Sequence, residues 1–158
     1  MKLVSLFSAL ALASSLAAPA AAHEYKAGTL VIHHPWTRAT PQGAPVAGGY
    51  TIIENTGDQP DKLTSGSFAA SSGFAIHQMS MKDGVMSMAP VEGGLEIPAH
   101  GKVELTPSAI HLMFTGLKQQ LKKDDKIAGT LVFEKAGTVD VQFKVEALGA
   151  KEPGHNGH

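Results

Sequence analysis

His77-Gln78-Met79-Ser80-Met81-Lys82-Asp83-Gly84-Val85-Met86-Ser87-Met88 is the stretch on which the reading of this chain turns. Side chains of a β-strand alternate between faces with a period of two, so His77, Met79 and Met81 share a face. Asp-Gly between two such runs is a strong two-residue hairpin signal. With Asp83-Gly84 as the loop, Met81 faces Met86 and Met79 faces Met88, while His77 lies diagonally from Met88 on the same side. Farther along, His111-Leu112-Met113 repeats the spacing of His77-Gln78-Met79. Each H-x-M pair presents an imidazole and a thioether together.

After Met1, all the methionines of the chain (Met79, Met81, Met86, Met88 and Met113) fall between Ile76 and Met113. Thioether sulfur is a soft donor that selects Cu(I), whereas zinc takes cysteine, histidine or carboxylate. The window has no cysteine, and its acidic residues, Asp83, Glu92, Glu96 and Glu104, fall outside the H-x-M pairs. The ion these residues suit is monovalent copper. Taken singly, a methionine at alternating strand positions is more often core filler. Two H-x-M pairs and an M-x-M turn in one window favour ligation for the group.

Outward from this window the chain is a series of short β-branched runs. Gly28 to His33 reads as the first strand, ended by His34-Pro35, and Trp36 to Pro41 as an extended segment packing across one end of the core. Strands follow at Gly48 to Ile53, Leu63 to Phe68, Phe74 to Met81, Val85 to Met88, Leu95 to Pro98, Val103 to Thr106 and Ile110 to Phe114. Gly116 to Asp125, polar and Lys-rich, reads as a long loop or one helical turn. Ile127 to Phe133 and Val139 to Val145 close the series. So many turn-punctuated strands with almost no helical period indicate an all-β sandwich or barrel.

The chain has 158 residues, which suits one domain. Lys2, the apolar run from Leu3 to Leu16 and the small residues Ala17 to Ala22 read as a secretory signal peptide over residues 1–22. Cleavage after Ala22 leaves 12 basic against 14 acidic residues, a formal −2. That charge gives no basic footprint for nucleic acid. No second apolar run is long enough to span a bilayer. Cysteine is absent, so no disulfide frame is available and the thiolate of a blue-copper centre is excluded. An exported, non-enzymatic monomer is expected, with a folded domain over residues 23–150 and a polar, Gly-rich tail over residues 151–158.

The motifs His34-Pro35-Trp36-Thr37-Arg38-Ala39, Gly84-Val85-Met86-Ser87-Met88 and the block from Ser108 to Leu117 closely resemble the PCuAC family of periplasmic copper chaperones. The likeness covers nearly all of the mature sequence. That family's signature is a His, ten residues, a Met, about twenty-one residues, then H-x-M. Here ten residues separate His77 from Met88 and twenty-two separate Met88 from His111. The extra residue falls where Gly93-Gly94 and His100-Gly101 mark turns, and it matters only if it flips a ligand to the opposite face. The resemblance implies a cupredoxin-like Greek-key fold and Cu(I) binding by His77, Met88, His111 and Met113. It also implies a periplasmic location and delivery of copper to the Cu-A centre of cytochrome c oxidase, alongside Sco-type proteins. Met79, Met81 and Met86 are then packing around the site, with stepping-stone ligands as the alternative.

Three further histidines bear on copper. His23 becomes the first residue on cleavage after Ala22 and would chelate Cu(II) through its amine and imidazole. This opens a rival reading as a copper oxidase or monooxygenase, although chain ends are usually frayed. His155 and His158 form a candidate secondary Cu(II) site on the tail. His33, His34 and His100 read as structural strand-end and turn residues. A third reading is a structural β-sandwich whose methionines fill its core.

Overall fold

The computed structural model describes residues 24–154, so the signal segment, His23, His155 and His158 lie outside the described residues. Eleven strands and no helix make up this part: β1 (Glu24–Ala27), β2 (Leu30–Arg38), β3 (Val46–Asn55), β4 (Asp61–Phe68), β5 (Ser71–Lys82), β6 (Val85–Pro90), β7 (Leu95–Ile97), β8 (Lys102–Leu105), β9 (Ile110–Leu117), β10 (Lys126–Phe133) and β11 (Gly137–Glu146). The all-β class expected from the turn-punctuated runs is the class observed. The strands hydrogen-bond in the order β6-β5-β9-β3-β2-β11-β10-β4-β7, with β1 added to β2 and β8 to β3.

One face of this sheet curls around a shared core. Phe114 of β9 stacks on Phe68 of β4, with centroids 4.0 Å apart and planes 4° apart, and Phe143 of β11 meets both edge-on. Leu30, Ile32, Ile53, Leu63, Leu112, Leu131 and Val145 fill the space around them, all essentially without solvent contact. These residues recur at alternating strand positions, so the period-two pattern supplies the core directly. Asp61 ties the far end together, its carboxylate accepting the backbone N–H groups of Lys62, Lys135 and Ala136. Among the described residues no helix is long and apolar enough to cross a membrane.

Two expectations need correction. β2 does not end at His34-Pro35. The ladder to β3 breaks after His33 and resumes at Trp36, and His34 takes a positive φ of 43° in the bulge between them. Pro35 therefore sits where no ladder donor is required, and the carbonyl of His33 is taken up by the Thr51 hydroxyl at 2.8 Å. Nor is the Gly28 to His33 run the first strand, because β1 precedes it, with Glu24 opposite His33. Trp36 is buried, but outside the main apolar cluster, against Tyr50. The Lys-rich segment before β10 is a loop anchored by the fully buried Leu121.

Candidate metal centre

The hairpin forms as its sequence dictates. Asp83 and Gly84 both have positive φ, 53° and 77°, as a two-residue turn that follows the twist of its strands requires. Met79 is registered with Met88, Ser80 with Ser87 and Met81 with Met86. On its other edge β5 pairs with β9, which sets His77 opposite His111 and Ala75 opposite Met113. Cross-strand partners share a face, so His77, Met88, His111 and Met113 all lie on the side of the sheet away from the Leu112 and Phe114 core. The residue by which the Met88 to His111 interval exceeds the family spacing leaves all four on that common face.

His111 is the fixed member. It is 4% exposed, and its Nδ1 lies 3.2 Å from the carbonyl oxygen of Ala109. A carbonyl only accepts, so Nδ1 carries the proton and Nε2 keeps its lone pair, the tautomer found when a metal-ligating histidine is oriented from behind. The ring sits 6.3 Å from Tyr50, which packs at 4.6 Å against Trp36 and lies under the Arg38 guanidinium at 5.7 Å. Burial first, and then the neighbouring His77, lower the His111 pKa against the opposing pull of the Ala109 carbonyl. The neutral ring, the form a metal needs, is favoured.

His77 is the accessible member. Its Nδ1 stands 3.1 Å from the sulfur of Met88, which is 47% exposed on the edge strand β6. A thioether only accepts, so in this contact Nδ1–H donates to the sulfur. With zinc-like bond lengths of about 2.0 Å to nitrogen and about 2.3 Å to sulfur, two ligands of one tetrahedral ion lie about 3.5 Å apart, so an ion taking that proton's place would need the pair to open only slightly. Met88, His111 and Met113 line a cleft of about 330 Å³ together with Arg38, Tyr50 and Met79, while His77 is not among its lining residues. Among the described residues no three His, Asp or Glu side chains converge to hold a metal ion. The donor set on this face thus depends on thioethers, and two imidazoles with two thioethers fit a soft, singly charged ion.

Of the three methionines expected to pack around this centre, Met79 does, lining the cleft beside Met88, whereas Met81 and Met86 do not. Met81 is 69% and Met86 51% exposed, and only Met79 is partly covered. Arg38, Tyr50 and Gly48 line the same cleft, and no local signal in the sequence marks them as part of it. Gly48-Gly49-Tyr50 was legible only as strand, although glycine in a strand interior often marks a close approach. Elsewhere, His100 at a turn with φ 53° bonds Asp58 at 2.6 Å, His33 lies between Glu24 and Glu54 at 2.9 and 3.1 Å, and His34 is exposed in the β2 bulge.

A family profile described as "Putative lipoprotein LpqE-like" matches residues 30–145. "Putative lipoprotein Lxx21020" of Leifsonia xyli subsp. xyli (strain CTCB07) is 29% identical over 122 residues, covering 77% of this chain and 72% of that one. Among solved structures, the copper-bound PCuAC domain from PmoF2 superposes with a TM-score of 0.69 at 30% identity, covering 79% of this chain and 98% of the domain. The Cu(I) form of DR1885 from Deinococcus radiodurans superposes with a TM-score of 0.57 at 26% identity, covering 80% and 83% of the two chains. The chain belongs to the LpqE-like family and has the cupredoxin-like β fold of the PCuAC domains.

Proposed function

We propose that this protein is an exported, periplasmic copper chaperone. It binds Cu(I) through His77, Met88, His111 and Met113 and yields it to an acceptor such as the Cu-A centre of cytochrome c oxidase or a Sco-type protein. The observation that carries this reading is the approach of His77 Nδ1 to Met88 sulfur at 3.1 Å, on the sheet face shared with His111 and Met113. Copper-bound structures of similar domains support the ion, and the lipoprotein names of relatives support export.

The donor set accounts for carriage without catalysis. Four neutral ligands hold Cu(I) without the charge attraction of thiolates, so a thiolate-bearing acceptor can take the ion. His111, oriented by the Ala109 carbonyl, anchors the copper. Met88, on an exposed edge strand, is the ligand an acceptor reaches first. Thioethers do not titrate, so the two imidazoles make binding depend on pH. The test is competition with a cuprous chelator. The protein should retain one tight Cu(I), and His77→Ala or Met113→Ala should lose it.

A further inference from the structure

The β5–β6 hairpin runs on beyond β9. β9 accompanies β5 from Ser71 to Gln78, whereas β6 pairs with β5 from His77 to Lys82. Past Gln78 the hairpin is therefore an arm two strands wide, with two unlike faces. One face carries Met79 opposite Met88 and Met81 opposite Met86. The other carries Ser80 and Ser87, whose hydroxyls bond at 3.0 Å. Lys82 shares the parity of Ser80, which puts its charge on the serine side.

Methionine is usually a buried residue, and its structural use is to fill gaps in a core. Met81 and Met86 fill none: they are 69% and 51% exposed and stand outside the apolar cluster. Ribbons of two strands gain most from β-branched and aromatic cross-strand pairs, which methionine is not. What the arm has in quantity is sulfur, four thioethers in consecutive cross-strand pairs on one face.

We propose that Met79, Met81 and Met86 form a second Cu(I) site on this arm, continuous through Met88 with the histidine-containing centre, and that the ion moves along this thioether ladder between the arm tip and that centre. Directly opposed residues have Cβ atoms about 4.5–5.5 Å apart and diagonal ones about 7–8 Å, which flexible methionine side chains bridge to a common ion. Three neutral sulfurs make a soft set that excludes zinc, calcium and magnesium. Met88 lies opposite Met79 and 3.1 Å from His77 Nδ1, so it can belong to either site in turn. Along the arm each step forms one copper–sulfur bond as another breaks, and on entry to the centre the bonds to Met79, Met81 and Met86 give way to bonds to the sulfurs of Met88 and Met113 and to unprotonated ring nitrogens of neutral His77 and His111. Copper remains Cu(I), and no proton is released, since a neutral imidazole keeps its one N–H on the nitrogen that does not bind the ion. Without an imidazole the arm binds more weakly than the centre, so loading runs inward.

The arm site goes beyond the proposed chaperone function and rests on it only for the inner end of the ladder. It is tested on the full chain with methyl-labelled methionine, titrated anaerobically with Cu(I) as its acetonitrile complex and followed by NMR. The first equivalent should shift the Met88 and Met113 methyl signals, and the next those of Met79, Met81 and Met86. In a Met81→Leu, Met86→Leu double variant, which changes only exposed side chains on this arm, the second response should be lost and the first retained. Signals of Met79, Met81 and Met86 that stay in place under excess Cu(I), or a double variant that binds the same thioether-held copper, would overturn the proposal. Arm signals that respond while Met88 and Met113 stay still would support the arm site and contradict the four-ligand centre.

Discussion

His77 and His111 are direct partners across β5 and β9, with ring centroids 6.2 Å apart and planes at 65°. Their settings differ. His111 is buried against Tyr50 and held by the Ala109 carbonyl, while His77 is half-buried and stands against the sulfur of an exposed methionine. One half of the proposed centre is preorganised by the sheet, and the other half lies open to an incoming ligand, the division that the proposed carriage of copper calls for.

Met88 separates a metal site from a packed core. Every residue of β6 is exposed, so Met88→Leu should change stability by no more than about 0.5 kcal/mol in chemical denaturation. The same change should weaken Cu(I) binding at least as much as loss of an outer-shell partner does, roughly ten- to hundredfold. A large stability loss with unchanged copper affinity would restore the core-filler reading.

Gly48 is required by the ring beside it. A Cβ at this position would stand 2.3 Å from the Tyr50 hydroxyl oxygen and 2.8 Å from Cζ, and Tyr50 is confined by Trp36 and His111. Gly48→Ala should destabilise the fold by about 1–3 kcal/mol in thermal or denaturant unfolding. It should also weaken Cu(I) binding, because the displaced ring bears on His111.

The hairpin and its register were legible because Asp83-Gly84 names its own turn and the alternation around it leaves one pairing. That pairing sets Met79 against Met88 and Met81 against Met86, as the structure has them. The pairing of β5 with β9, which makes His77 and His111 neighbours, joins segments more than thirty residues apart, and no local signal specifies it. β1 and the bulge at His34-Pro35 were illegible for a related reason. β1 forms as an edge addition to β2, and the proline break is bridged by Thr51 of β3, the strand whose ladder with β2 it interrupts. The exposure of Met81 and Met86 was missed because hydrophobicity alone assigns methionine to the interior, whereas this arm extends past the strand that would have covered it.

Acid should weaken the apo-fold through His111. Its folded pKa is lowered by burial, so below the ordinary histidine value of about 6.5 the unfolded chain binds the proton more readily. The stability linked to this ring is therefore fully present above about pH 6.5 and is lost as pH falls toward and through the folded value. Denaturant midpoints measured from about pH 7 down to about pH 5 should fall in the parent protein and fall less in His111→Gln, which has no ring to protonate.

Competition between the full-length protein and a cuprous chelator, with X-ray absorption at copper on the tightest equivalent, bears most directly on the four-ligand centre. One Cu(I) bound by both nitrogen and sulfur, released on His77→Ala and on Met113→Ala, is the predicted result. Copper surrendered entirely to the chelator, or held undiminished by both variants, would contradict it.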